Sequence, residues 1–353
     1  MGMLAGRVDH VIGVDTHRDT HSAAILEPTG AAVHAMRVRA EAKGYRRILA
    51  EAAQHAPGRR VWAIEGSGGY GAGLSTYLLE QGEWVVEIDR PARPARRNGA
   101  KSDELDAVRA AREALARDQL AGPRARGERE ALRVLLITRQ GAIRARTAAI
   151  AQVRALVLTA EEGLRGRLRG LRSAALLRRC ASLRTHPAHG PERRATLTCL
   201  RSAARRALAL EDEAVVLKDQ MAGLVALLAP GLLGQCGVGV ISASQVLVAF
   251  SHPGRIRSEA AFAALGGVAP IPASSGQVVR HRLNRGGDRQ LNRGLHTIVK
   301  ARLRCDERTQ HYAAKRTSEG KSAPEIRRCL KRYVARQLFR LLEAGGGPAT
   351  PVA

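Results

Sequence analysis

The chain lacks several features that mark common classes of protein. Its five cysteines are scattered without CxxC or Cys/His spacing, which argues against a structural zinc site and favours a reducing cytoplasm. No apolar run approaches the ~20 residues of a membrane span, and no secretory signal opens the chain. A Walker motif, which binds nucleoside triphosphates, is absent as well. We therefore expect a soluble, cytoplasmic protein, without a membrane partner, whose chemistry needs no ATP.

Acidic residues are scarce relative to basic ones, and the imbalance is confined to part of the chain. The sequence holds 58 Lys and Arg against 32 Asp and Glu. Residues 1–105 are nearly balanced, with 14 basic and 13 acidic residues, whereas 106–250 hold 24 against 12 and 251–353 hold 20 against 7. Because such an excess of cations attracts a phosphate backbone, we expect nucleic acid to bind mainly outside the first 105 residues.

Strand and helix patterns alternate through the first part of the chain. Three short strands separated by turns come first, followed by helix, strand, helix, strand and helix. The predicted strands are 11–15, 22–27, 31–37, 61–65 and 84–88, and the predicted helices are 41–54, 70–81 and 103–117. This order predicts an α/β domain of the ribonuclease-H-like type over residues 8–122.

The middle of the chain, residues 128–228, shows only helical periodicity. Apolar residues recur every seven positions from Leu136 to Val157, as in a coiled coil. Arg139 and Arg146 interrupt the same heptad register at d positions. We therefore predict a helical hairpin or imperfect coiled coil, whose two interrupting arginines also contact nucleic acid, rather than one long zipper.

The last part of the chain is predicted to be a compact, mainly α-helical domain over residues 229–345. It begins near Gly237–Gly239, a glycine-flanked turn between helical segments whose N–H groups suit a phosphate. It ends with an amphipathic helix at 325–342. Residues 346–353 are predicted to be a disordered tail.

Four carboxylates are placed so that they can form one acidic pocket. Asp15 and Glu65 each end a short apolar run, and Asp103 and Asp106 lie three residues apart at the start of a helical stretch. The i, i+3 spacing puts the latter two on one helix face. Carboxylate oxygens are the ligands that Mg²⁺ prefers, and two such ions clamp a phosphodiester in many nucleic-acid enzymes. An acidic metal pocket in a basic protein indicates an enzyme that acts on nucleic acid.

The acidic helix start and the glycine-rich segment after Glu65 each have a second possible role. Ser102 is a good N-cap, and acidic residues in a first turn are favoured by the helix dipole, which accounts for Asp103 but not for Asp106. The segment Gly66–Gly71 matches G-x-G-x-x-G, with Asp89 after the next strand, as in dinucleotide-binding proteins. Against that function, the charged Glu65 directly precedes the first glycine, where a pyrophosphate would have to approach.

A loop in the last domain combines hydroxyl groups, glycine and many cations. Ser274 and Ser275 precede Gly276. The basic residues that follow include Arg280, Arg282, Arg285, Arg289 and Arg293. A serine in such a loop is able to attack phosphorus while guanidinium groups hold the non-bridging oxygens. From the residues alone, a polar loop in a DNA-binding domain is the favoured interpretation.

Together, these motifs resemble the insertion-sequence-110 (IS110) family of transposases. The segment Val11–His17, with the four carboxylates, is similar to the RuvC-like DEDD domain of that family. The stretches that resemble its C-terminal transposase domain are Gly237–Gly239, Phe262, Gly266–Pro270, Ser274–Gly276 and Arg282–Arg293.

The resemblance implies a DNA recombinase that excises and inserts a mobile element through a guiding bridge RNA. It implies that Asp15, Glu65, Asp103 and Asp106 bind Mg²⁺, or Mn²⁺ in its place. It further implies a serine nucleophile that forms a transient phosphoserine link to DNA. In this sequence the nucleophile maps to Ser275, with Ser274 as the alternative.

The expected partners are donor DNA, target DNA, the bridge RNA and further copies of the chain, as a dimer assembling to a tetramer, in a bacterial, nucleoid-associated setting. Two other functions remain open from the sequence. One is a RuvC-like endonuclease that hydrolyses branched DNA with the carboxylates alone. The other is a non-catalytic protein that binds RNA or DNA. A serine loop distinguishes the first of these, because a water-using nuclease needs no hydroxyl there.

Overall fold

The computed structural model describes residues 3–88, 102–118, 120–272, 281–282, 284 and 286–345. The contacts divide the chain into two compact units. The first comprises the described residues of Met1–Ala125 and Ser251–Phe262, and the second comprises those of Arg126–Phe250 and Ala263–Gly345. None of the described helices is both long and apolar enough to cross a membrane.

The first unit is built on a mixed sheet with helices on both faces. Its strands are β1 (His10–Thr16), β2 (Thr20–Leu26), β3 (Ala32–Arg39), β4 (Arg60–Glu65) and β5 (Val85–Ile88), and its helices are α1 (Ala42–His55), α2 (Ala72–Glu80) and α3 (Asp103–Leu115). The order across the described sheet is β3-β2-β1-β4-β5. The β1–β2 and β2–β3 pairs are antiparallel, and the β1–β4 and β4–β5 pairs are parallel. This topology is consistent with a ribonuclease-H-like fold, as the sequence predicts.

The central strands read as apolar runs because both of their faces are covered. Alternate residues of β1 contribute to different cores. Ile12 and Val14 pack with Trp62 and the residues of α1 and α2, whereas Val11 packs with Val61 and the alanines of α3. The strand β3 instead alternates between exposed and buried residues, as expected at a sheet edge.

Gly13 sets the closest approach between the sheet and α3. A Cβ atom at this position would lie 2.0 Å from the carbonyl oxygen of Ala107 and 2.6 Å from the amide nitrogen of Ala111. Both neighbours are backbone atoms, so they cannot move aside without moving the helix. The absent side chain therefore lets α3 lie directly on β1, with its N-terminus toward the end of the strand that carries Asp15.

Replacement of Gly13 by Ala is expected to lower the free energy of unfolding by about 1–3 kcal/mol, because α3 must shift away from the sheet. Urea denaturation measures the loss. Gly141→Ala is the control, since no atom lies within 4 Å of its added Cβ and alanine is the better helix former by about 0.5–1 kcal/mol. A Gly13→Ala protein as stable as wild type would contradict the tight contact.

The segment Ser251–Phe262 joins the first unit although it lies far along the chain. The backbone N–H of Ala125 donates to the Ser251 hydroxyl at 2.9 Å. Arg255 forms a largely buried ion pair with Glu87 of β5 at 2.5 Å. These contacts join residues separated by more than one hundred positions, which local sequence patterns do not reveal.

The second unit is almost entirely helical in its described residues. Its helices are α4 (Glu128–Thr159), α5 (Glu162–Leu168), α6 (Ser173–Ala181), α7 (Pro191–Leu228), α8 (Val240–Phe250), α10 (Arg289–Cys305), α11 (Glu307–Ser318) and α12 (Ala323–Gly345), while α9 (Glu259–Leu265) bridges the division between the units. The long helices α4 and α7 pack along one another and share a core with α5 and α6. The predicted helical hairpin and the predicted final helix are both present.

The heptad seam of α4 is not continuous. Leu136 and Val157 are buried as the seven-residue pattern predicts, but Ala142 and Ala149 are buried in place of the isoleucines that follow each of them. Ile143 and Ile150 are half-buried beside these alanines, so the apolar face of α4 is broader than a single heptad seam.

A two-stranded ribbon in the second unit was not predicted from the sequence. The strands β6 (Ile271–Pro272) and β7 (His281–Arg282) pair antiparallel, with Pro272 opposite His281. The predicted Ser274 and Ser275 fall between these two strands in the sequence and lie outside the described residues. The predicted tail at 346–353 lies outside them as well.

Candidate metal centre

Asp15 and Glu65 lie side by side at the carboxyl ends of two parallel strands. The register of β1 and β4 pairs Val14 with Ile64, so the next residue on each strand stands at the same level. Val14 and Ile64 both pack on the α1 and α2 side of the sheet. Because side chains alternate along a strand, Asp15 and Glu65 both face the α3 side. The Thr16 hydroxyl donates to the Glu65 carbonyl at 2.8 Å and ties the two strand ends together.

The first turn of α3 supplies the other two carboxylates. Ser102 caps the helix, and its hydroxyl oxygen accepts the N–H of Leu105 at 3.2 Å. The contact of α3 with Gly13 directs this turn toward the end of β1. From the sequence, the first turn was expected to account for Asp103 alone, but Asp106 lies in the capped first turn as well. Both carboxylates also lie near enough to Asp15 to raise its pKa.

His17 lies between two of these carboxylates. Its Nε2 atom is 3.1 Å from an oxygen of Asp15 and 3.3 Å from an oxygen of Asp103. The sequence interpretation placed this residue in the family motif but not in the site. The signal was present, because residues two apart on an extended strand share a face, and His17 follows Asp15 by two positions.

The Asp15 carboxyl is largely buried, with 13% of its side chain exposed. Burial raises its pKa above the ordinary value of an aspartate, and the neighbouring charges of Asp106 and Asp103 raise it further, while His17 acts in the opposite direction. A carboxylate that is desolvated and surrounded by like charges favours a bound cation, because the cation relieves both penalties.

The donor set fits a divalent metal ion. Asp15, His17 and Asp103 each offer one ligand atom, and these three atoms lie within 4.8 Å of one another. Within the described residues, this group does not include the other two predicted ligands. Asp106 accepts a hydrogen bond from Arg109 at 2.6 Å, and Glu65 is half-buried at the neighbouring strand end.

The glycine-rich segment forms a tight turn rather than a dinucleotide cradle. Gly66 has a positive φ of 71°. Its carbonyl oxygen accepts the N–H groups of Gly69 at 2.8 Å and Gly71 at 3.3 Å. Backbone N–H groups that bind a pyrophosphate in dinucleotide-binding loops are here used inside the turn. The segment therefore connects Glu65 to α2 and presents Tyr70 at the surface.

The predicted nucleic-acid-binding arginines occupy different environments. Arg282, Arg289 and Arg293 are exposed, whereas Arg280 and Arg285 lie outside the described residues. Arg139 is half-buried and donates to the Ala214 carbonyl of α7 at 3.2 Å. Arg146 forms an ion pair with Glu211 of α7 at 3.1 Å. Contact of these last two arginines with nucleic acid remains a prediction, and their observed partners belong to the hairpin.

Comparison with known families gives two matches. The DEDD transposase model of the IS110 family matches residues 12–160, and the model described as the transposase IS116/IS110/IS902 family matches residues 232–314. The first match contains all four predicted carboxylates, and the second contains both predicted serines. A search of curated proteins found no match.

Proposed function

Because the chain belongs to the IS110 family of transposases, we propose that it cuts and rejoins DNA to move an insertion element. Donor and target DNA are the substrates, and the reaction transfers phosphodiester bonds. The observation that carries the proposal is the group formed by Asp15, His17 and Asp103 at the end of β1, where a buried carboxylate with a raised pKa faces two further acids.

The proposed metal ligands are Asp15, Glu65, Asp103 and Asp106. Mg²⁺ suits an all-carboxylate set, and Mn²⁺ also accepts an imidazole such as that of His17. Such an ion supplies a Lewis acid that polarises the phosphate. The protein residues hold the site open and acidic: β1 and β4 fix two carboxylates, and the capped first turn of α3 fixes the others.

The proposed nucleophile is Ser275, with Ser274 as the alternative. The serine Oγ loses its proton and forms an ester bond with the phosphorus, one P–O bond of the DNA strand breaks, and the leaving sugar oxygen takes a proton and becomes a hydroxyl. Rejoining reverses these steps with a different strand. A covalent link conserves the energy of the broken bond, which agrees with the absence of a Walker motif in the sequence. Support comes from the resemblance of Ser274–Gly276 to the family motif and from the family match over residues 232–314, which contains both serines.

The proposed nucleic-acid surface lies in the second unit. The first unit holds 20 Lys and Arg against 17 Asp and Glu, and the second holds 38 against 15. On α10, the residues Arg289, Arg293, Lys300 and Arg304 are exposed at spacings of four, seven and four, which align them on one face. Such a stripe follows a phosphate backbone. We also propose, from the resemblance to the family, that a bridge RNA guides the reaction and that the chain assembles into dimers and tetramers.

A plasmid recombination assay with the gene and its own flanking DNA tests the proposal. The element is expected to move only when a divalent metal and the flanking transcript are present. Cleavage of branched DNA without rejoining would instead support the endonuclease.

Affinity for DNA is expected to fall steeply with salt, by about a thousandfold or more between 50 and 200 mM. The reason is that Lys and Arg side chains that bind the phosphates release the counterions condensed on the DNA. Replacing both Arg289 and Arg293 by Gln should reduce the slope of log affinity against log salt by about two, since each lost phosphate contact removes about one. Fluorescence anisotropy of labelled DNA measures both effects.

The matched control replaces Lys43 and Arg47 by Gln. These residues are exposed and four apart on α1, in the nearly neutral first unit. Their loss should leave the slope unchanged. An equal reduction in both double variants would contradict a binding surface on α10.

A further inference from the structure

Tyr70 is an exposed aromatic residue in a chain that has few. The sequence contains three Phe, two Trp and five Tyr. Tyr70 is 63% exposed and stands in the glycine-rich turn, followed by Gly71, the N-cap residue of α2. A single exposed aromatic ring is ordinary on a protein surface, so the groups around Tyr70 decide whether it has a role. No part of the proposed metal chemistry uses this residue.

Tyr70 forms one wall of a cleft of about 420 Å³. The cleft is lined by His17, Arg18, Asp19, Thr20, Arg37, Tyr70 and Asp103. Two of these, His17 and Asp103, also belong to the candidate metal centre, so the cleft opens directly beside it. A volume of this size accommodates a small ligand such as one nucleotide.

Two exposed arginines line the cleft. Arg37 donates to the Thr20 hydroxyl at 3.2 Å and lies 3.7 Å from an oxygen of Asp103. A guanidinium has five N–H donors, so these two contacts do not exhaust it. Arg18 pairs with the adjacent Asp19, and its side chain is 80% exposed. The cleft thus combines an aromatic face with cationic donors that suit a phosphate.

We propose that this cleft holds the nucleotide of the DNA strand next to the phosphate that is cut. The base stacks on Tyr70, and Arg37 contacts the backbone phosphate. Stacking on an aromatic ring tolerates every base, because each has a π face. We assign the cleft to a DNA strand rather than an RNA strand, because it adjoins the carboxylates that we propose to act on DNA. The inference rests on the proposed function and names the subsite that positions its substrate.

Photo-crosslinking of the full-length protein to DNA tests the subsite. The probe is the end of the element, with its flank, carrying 5-iodo-2′-deoxyuridine at single positions around the cut. Ca²⁺ is used to support binding without cleavage. Crosslinks should map to the peptide containing Tyr70 from only one or two positions beside the cut. Crosslinks spread evenly along the strand, or absent from this peptide, would overturn the proposal.

Substitutions separate stacking from a structural role. Tyr70→Ala should reduce crosslinking and the affinity of the cut-site strand by about fivefold to a hundredfold, while Tyr70→Trp retains both. Tyr333→Ala removes another exposed tyrosine, from α12, and should change neither. An unaffected Tyr70→Ala protein would overturn the proposal, as would equal crosslinking to an RNA strand of the same sequence.

The same experiments distinguish failure of the subsite from failure of the proposed function. If the wild-type protein cuts no DNA with any divalent metal, the proposed recombinase fails, whereas a specific Tyr70 crosslink would still establish the cleft as a nucleotide site. If the wild-type protein recombines DNA and Tyr70→Ala recombines it equally well, the subsite alone is wrong.

Discussion

Replacement of Asp15 by Asn is expected to reduce DNA strand cleavage about a thousandfold or more, equivalent to ~4 kcal/mol of lost transition-state stabilisation. The substitution removes one negative charge from the centre of the acidic group while keeping the shape of the side chain. The folded protein without metal should be as stable as wild type, because the amide removes a desolvated charge from beside Asp103 and Asp106.

Metal binding provides a second measurement for this variant. A ligand that binds only the folded state stabilises it, by about 2.7 kcal/mol at one hundred times its dissociation constant. Mg²⁺ or Mn²⁺ should therefore raise the melting temperature of the wild-type protein and leave that of Asp15→Asn unchanged. Titration calorimetry with Mn²⁺ gives the affinity directly.

Asp212→Asn is the matched control, since Asp212 is an exposed carboxylate on α7. It should preserve both cleavage and the response to metal. An Asp15→Asn protein that still cuts DNA at the wild-type rate would show that the carboxylate group at the end of β1 is not the metal site.

Replacement of Ser275 by Ala is expected to abolish recombination and the covalent complex between protein and DNA. The physical reason is that alanine has no oxygen to form the ester with phosphorus. Denaturing electrophoresis detects the trapped complex, and mass spectrometry of its digest should show a phosphoserine on the peptide that contains Ser274 and Ser275.

Ser274→Ala is the neighbouring control and should retain the covalent complex. Loss of the complex in Ser274→Ala alone would transfer the role to that residue. A Ser275→Ala protein that still recombines DNA would end the claim for Ser275. Cleavage without any covalent complex in the wild-type protein would favour a water-using endonuclease, for which the carboxylates suffice.

Much of the first unit was predictable because its signals are local. The first strand was predicted at residues 11–15 and spans His10–Thr16, and the third helix was predicted to begin at Asp103, where α3 begins. Alternation, apolar runs and a capping serine each involve residues within a few positions of one another. The two strand-end carboxylates were found in the same way, since each follows a buried run.

The heptad pattern shows the limit of such local reasoning. It correctly predicted a helix through Leu136 and Val157, but the residues buried between them include Ala142 and Ala149. The seven-residue period of apolar residues indicates only that one face of α4 is apolar. Which residues are covered depends on the path of α7 along that face, and this path is fixed by packing over the whole hairpin.

The sequence by itself therefore determined the order of the elements, the basic character of the last two thirds, and the acidic residues that define the candidate site. Tertiary structure alone decided that α3 lies on Gly13, that His17 lies between Asp15 and Asp103, and that Cys236 and Cys305 approach to 3.3 Å between their sulfur atoms. Most of these contacts join residues tens of positions apart. Their geometry depends on how complete strands and helices pack, which short-range patterns in the chain do not encode.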